Sequence, residues 1–93
     1  MKLVYSVEAV ADLVRLRAFI AENDPSAASR VAQELITRIE SLCHFPYMGH
    51  GVEHSPQPDV LRDMIFGNYV VRYSTHAGAL AGLRIWHHYE GRE

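Results

Sequence analysis

An α+β fold, with a helical hairpin packed on one face of a small, mostly antiparallel sheet, is what this 93-residue sequence predicts. Three observations predict it. A short alternating segment opens the chain, two segments with apolar residues spaced by three and four follow, and three alternating segments close it, two of them joined by Gly67-Asn68. Helical periodicity in one block and strand periodicity in another places helices and strands in separate layers, in the order β-α-α-β-β-β.

Residues 2–7 read as the first strand. Ser6 is placed to cap the helix that follows, with Glu8 favourable in its first turn. Val10, Leu13, Leu16 and Ile20, with Val14 and Phe19 alongside, give that helix its apolar stripe, and it ends near Asn23. Asp24-Pro25 starts a second helix, because Asp is a good N-cap and Pro suits the first helical position. That helix runs through Ala28, Val31, Ala32, Leu35, Ile39 and Leu42, with Cys43 as a small buried helix residue. Glu34 and Arg38 form an i,i+4 pair on its outer side. So short a break makes the helices an antiparallel hairpin.

Pro46 ends the second helix, and residues 46–59 lose all periodicity. Pro56, Pro58, Gly49, Gly51, His50 and His54 make this a long irregular loop, of a length usually tied to function or motion. Strands at 60–66 and 69–74 are joined by the tight Gly67-Asn68 turn. A looser turn over 76–82 leads to the final strand, 83–92.

Composition sets limits. Ninety-three residues suit one domain, residues 1–93, with a single core. A hydrophobic fraction of 48% with 22% charged residues is globular and argues against disorder. No apolar run approaches the roughly 20 residues that span a bilayer, and the first residues lack a signal-peptide pattern. Cys43 is the only cysteine, so no internal disulfide forms and a cytoplasmic location fits. A net charge of −2 excludes bulk electrostatic capture of nucleic acid. Lys2 is the only lysine, so the positive charge is arginine, suited to local bidentate pairing with phosphate or carboxylate.

The final strand carries the most chemistry. Alternation puts Arg84, Trp86 and His88 on one face and Leu83, Ile85 and His87 on the other. Charged and histidine side chains rising from a sheet mark an exposed, ligand-facing surface. Arg62, Arg72, Arg84, Trp86, His88 and Arg92 are therefore the candidate binding residues, with Trp86 as an anchor for a protein partner. Trp86 with Tyr69 and Tyr73 would also suit base stacking, although strand aromatics more often pack across strands.

A nuclease reading uses Arg62 and Arg84 on neighbouring strands, with His87, His88, Tyr89 and Arg92. Arginines would stabilise the phosphorane, and a histidine or tyrosine would move the protons. The structural alternative pairs the arginines with carboxylates such as Asp63 and Glu90 and leaves His87 in a packing role. His44, His50, Glu53 and His54 lie in a loop, without the helical spacing that aims rings at one ion, so no metal and no cofactor is expected.

Several segments, in order, resemble the RelE/ParE superfamily of type II toxin–antitoxin toxins across essentially the whole chain. They are Ala9 with Asp12-Leu13, the junction Asp24-Pro25-Ser26-Ala27-Ala28, and Phe45-Pro46-Tyr47-Met48-Gly49. Val60-Leu61-Arg62-Asp63, Tyr69-Val70-Val71-Arg72-Tyr73 and Arg84-x-x-His87 with Arg92 complete the pattern. His50 stands where the family commonly has Arg, and Tyr89 where many members have a basic residue. The element pattern is similar to the ParE branch. That resemblance implies a cytoplasmic toxin that binds an essential target, DNA gyrase first, and is neutralised by a cognate antitoxin in a hetero-oligomer. Its flexible C-terminal segment would fold into the groove between helices and sheet. The superfamily's other branch implies a metal-independent mRNA endonuclease acting on the ribosome. A third reading is a non-toxic binding module that keeps the fold. No membrane partner is implied.

Overall fold

The computed structural model describes residues 1–52 and 60–88. Its elements are β1 (Lys2–Tyr5), α1 (Val7–Asn23), α2 (Pro25–Ser41), β2 (His50–Gly51), β3 (Leu61–Phe66), β4 (Tyr69–His76) and β5 (Ala79–His87). The strands form one sheet in the order β1-β5-β4-β3-β2. β1 runs parallel to β5, and every other pairing is antiparallel.

The capping residues act as their chemistry dictates. Ser6 Oγ accepts the Ala9 N–H at 2.9 Å. Asp24 Oδ1 accepts the Ala27 N–H at 3.1 Å, and Pro25 opens α2. Both bonds satisfy N–H groups that a helix start leaves without partners. The two helices pack on each other and cover one face of the sheet. Leu16, Leu35 and Ile39 from the helices meet Val71, Leu80 and Ile85 from the central strands, all essentially inaccessible to water. Each such side chain contributes about 1.5–3 kcal/mol of burial free energy.

The structure corrects the sequence reading at several points. α1 buries Ala9, Asp12 and Leu16, and leaves Val10 50% and Val14 67% exposed. A helix that is apolar on nearly every side does not dictate which side faces inward, and here the edge of β5 decides. Glu34 approaches Arg30, at 3.7 Å, while the Arg38 guanidinium lies 4.8 Å over the Phe66 ring. Cys43 sits half-buried in the turns after α2, outside the helix. The turn into the final strand is tight: β4 extends to His76, and Ala77 and Gly78 adopt φ of 52° and 77°. Two left-handed residues suit the right-handed twist of a hairpin, and Ala77 concealed the turn because alanine seldom takes that conformation.

The sheet holds the first part of the loop after α2. His50 and Gly51 add a short fifth strand beside β3. Tyr73, fully buried, accepts the Gly49 N–H at 3.0 Å and donates to the Pro46 carbonyl at 2.7 Å. Arg62 donates to the Gly49 carbonyl at 2.8 Å and lies over the Tyr47 ring. A Cβ at Gly49 would sit 2.7 Å from both the Asp63 carbonyl oxygen and Tyr73 Oη, so only glycine allows this approach. Glu53, His54, Pro56 and Pro58 lie outside the described residues.

Tyr73→Phe removes both hydroxyl bonds and leaves the Gly49 N–H unpaired in a buried site. The expected loss is about 1–3 kcal/mol, read as a fall in melting temperature of roughly 4–8 °C per kcal/mol. A melting temperature equal to that of the parent would show that the hydroxyl does not hold the loop.

Candidate functional site

β1 ends at Tyr5 and pairs with β5 only as far as Gly82, so the outer edge of β5 has no strand beside it from Leu83 onward. Side chains at the start of α1 take over that edge. Ser6 Oγ donates to the Leu83 carbonyl at 2.8 Å. Asp12 Oδ2 accepts the Ile85 N–H at 2.8 Å, and Arg15 donates to the Ile85 carbonyl at 3.1 Å. Covering an edge in this way satisfies backbone groups and blocks further strand pairing.

Asp12 is 2% exposed and is the one buried charged residue among those described. Arg84 Nε reaches its Oδ2 at 2.8 Å and Arg84 Nη2 its Oδ1 at 3.3 Å, while Arg15 Nη1 also bonds Oδ1. Burial pushes the Asp12 carboxyl up, but the hydrogen bonds from Arg84, the Ile85 N–H and Arg15 outweigh it and hold it below the usual carboxylate range. The same contact with Asp12 raises the Arg84 guanidinium above its ordinary value.

The sheet face away from the helices carries the second half of the site. A β-bulge adds Leu83 to β5: Gly82 pairs with Tyr73, and Arg84 with Arg72. Arg72 and Arg84 therefore stand directly opposite each other on this open face. Like charges in that position repel. Each is matched by a carboxylate: Asp63, its neighbour on β3, meets Arg72 through two bonds of 2.8 and 2.9 Å, and Asp12 meets Arg84. The bond to Asp63 raises the Arg72 guanidinium. His50, opposite Asp63, extends the row across the sheet. An apolar row runs alongside it, with Ile65 opposite Val70 and Val70 opposite Trp86. Arg72 lies 5.3 Å over the Trp86 ring and links the two rows.

The structure brings Arg72, Arg84 and Trp86 together on one face, and separates them from Arg62. β4 lies between β3 and β5, so Arg62 and Arg84 are not on neighbouring strands. Arg62 also faces the helix side, where it holds the loop after α2. His87 points to the helix side too, with its ring 4.8 Å from Tyr69 and 5.4 Å from Phe19. Tyr73 is core, so it joins no stacking platform. His88 is exposed, and its N–H bonds the Asn68 carbonyl. Tyr89, Glu90 and Arg92 lie outside the described residues. Asp12 is the residue that sequence reasoning missed as part of the site. An aspartate amid the apolar positions of α1 was the available signal.

Comparison with known proteins gives the class and then the family. Residues 3–91 match the family model described as the ParE toxin of the type II toxin–antitoxin system parDE. Toxin RelE1 of Caulobacter vibrioides is 34% identical over 89 residues, covering 94% of this chain and 92% of its own. Toxin RelE2 of the same organism is 32% identical over 87 residues, covering 92% and 93%. A chain from the chromosomal ParDE TA system of P. aeruginosa has the same fold, with a TM-score of 0.79 over 94% of this chain and 95% of that one, at 19% identity. The molecule is thus a toxin of the type II toxin–antitoxin class, a class that implies an antitoxin partner. It belongs to the ParE toxin family.

Asp12→Ala strands the buried Ile85 N–H and takes the carboxylate from the solvent-exposed Arg84 and Arg15, at an expected cost of about 1–3 kcal/mol in urea unfolding at pH 7. Because folding lowers the Asp12 pKa, its contribution is fully present above the unfolded value of about 3.9 and is lost as pH falls toward the folded one. The parent should therefore lose stability below about pH 4, and Asp12→Asn, weaker at pH 7, should show a shallower fall. Parallel pH profiles for the two would count against Asp12 as the acid-sensitive group.

Proposed function

We propose that this toxin arrests growth by binding an essential protein target, with DNA gyrase the first candidate, through the open face of its sheet. The observation that carries this reading is that both open-face arginines already hold carboxylates, while His87 sits on the opposite face. The carboxylates of Asp63 and Asp12 already offset the charge of both cations and so weaken their pull on a phosphate, and among the described residues no proton-transfer group stands beside them in that row except His50. A net charge of −2 also opposes docking that depends on many phosphate contacts. Trp86, Val70 and Ile65 beside an arginine pair have the composition of a protein interface, where Trp and Arg supply most of the binding energy.

A cognate antitoxin would silence the toxin in the cytoplasm by forming a hetero-oligomer with it. A groove of about 240 Å³ between α2 and the end of β3, lined by Gln33, Glu34, Thr37, Arg38 and Phe66, supports docking of a segment that folds on binding.

Expression of the chain alone should stop bacterial growth, and co-expression with its neighbouring antitoxin gene should restore it. Purified toxin should inhibit gyrase supercoiling without cutting ribosome-bound mRNA. Trp86→Ala should weaken that inhibition by about tenfold or more, with little change in melting temperature. Codon-positioned mRNA cleavage in a translating extract would overturn the proposal in favour of a nuclease. Normal growth at verified soluble expression would mark a non-toxic binding module.

A further inference from the structure

The solvent side of α1 is apolar in a way that the monomer does not use. Val7 is 83%, Val14 67% and Val10 50% exposed, and Ala11 and Ala18 between and beyond them are exposed as well. Single exposed apolar residues are ordinary, but an ordered stripe marks an interaction surface. Val7, Ala11, Val14 and Ala18 follow one another at intervals of four, three and four, the 3.5-residue period of a helix–helix seam.

The order of the residues points to what covers the stripe. An antiparallel two-fold axis passing between positions 12 and 13 maps Val7 onto Ala18 and Ala11 onto Val14. Each valine then meets an alanine of the second copy, and each alanine meets a valine. Large-against-small pairing lets two helices approach at the short end of the usual 8–10 Å range. The flanks are complementary under the same operation. Glu8 and Arg15 each follow a seam valine on one side, so Glu8 of one copy comes beside Arg15 of the other, twice. On the other flank Arg17 lays its aliphatic stem along Val10 of the second copy. A parallel pair would instead set valine on valine and alanine on alanine, and would put Glu8 of one copy and Arg15 of the other on opposite sides of the seam.

We propose that the toxin chain associates with a second copy of itself through an antiparallel α1–α1 seam of Val7, Ala11, Val14 and Ala18. Because the operation is a closed two-fold, the product is a dimer and not a filament. A seam this short falls below the roughly 1,200 Å² of strong complexes, so the dimer is weak and dependent on concentration.

Sedimentation equilibrium of the full chain between 5 and about 200 μM tests it, in a Cys43→Ser background that excludes chance disulfides. The expected result is a weight-average mass that climbs from monomer towards dimer. Val14→Lys, on an exposed position, should keep its melting temperature and raise the dissociation constant by at least about tenfold. Orientation is read by mixing Val7→Cys chains with Ala18→Cys chains under mild oxidation. Antiparallel pairing predicts mixed disulfides, because like positions lie eleven residues, roughly 16 Å, apart along the seam. Monomer mass throughout, or disulfides between like positions, overturns the proposal. So does a monomeric parent whose Val14→Lys variant fails to bind antitoxin, a result that assigns the stripe to the antitoxin.

Discussion

Four hydrogen bonds converge on the buried carboxylate of Asp12, from Arg84 twice, from Arg15 and from the Ile85 N–H, and the placement of both layers depends on them. The cause is a mismatch of length. β5 continues for five residues past its pairing with β1, and a buried strand edge cannot leave its N–H and C=O groups without partners. α1 follows β1 after the single residue Ser6 and lies against that edge, so its side chains must supply what a strand would have supplied. A charged residue is tolerated there because it is fully bonded. Losing the arginines leaves the Asp12 carboxylate uncompensated in a dry place, and losing Asp12 leaves the Ile85 N–H unpaired there, which makes the cluster stringent for both helix register and strand position.

The bulge at Leu83 is the second constraint. Leu80 and Ile85 are both fully buried on the helix side, yet their positions differ by an odd number. A regular strand cannot place both on one face, because alternation has period two. One extra residue resolves the conflict, and Arg84, Trp86 and the ring of His87 take their faces from it. Arg84 thus arrives opposite Arg72 on the open side, where it can turn back around the strand edge to Asp12. The repulsion of the two arginines is relieved from both flanks, by Asp63 and Asp12.

These constraints shape what the face offers to a partner. A row of paired charges beside a row of Ile65, Val70 and Trp86 is amphipathic, with its cations already held in fixed positions. Such pre-ordering lowers the entropy lost when a protein surface docks, and it disfavours ligands that must break the pairs to bind. Among the described residues, the histidines suited to proton transfer are divided between the two faces, His50 on the open one and His87 on the helix side.

The element order apart from β2, both helix caps, the hairpin at Gly67-Asn68 and the family were legible in the residues, because each rests on local chemistry or on short motifs: a serine or aspartate before a helix, a proline at its first position, a glycine in a tight turn. Arg84 and Trp86 were legible as sharing a face by alternation within their strand, while the place of Arg72 opposite Arg84 came from the sheet. The inward side of α1 was not, since Val7, Val10 and Val14 make its outer side as apolar as its inner one. The separation of Arg62 from Arg84 was equally hidden, because strand order and face are properties of the sheet. The Ala77-Gly78 turn and the bulge escaped because alanine does not announce a left-handed backbone and a bulge has no residue signature. The sequence by itself determined which elements form and which chemistry they carry. Tertiary structure decided which of those side chains meet, because the hydrogen-bonding needs of one strand edge and the packing of one core act between residues more than seventy positions apart, such as Asp12 and Arg84.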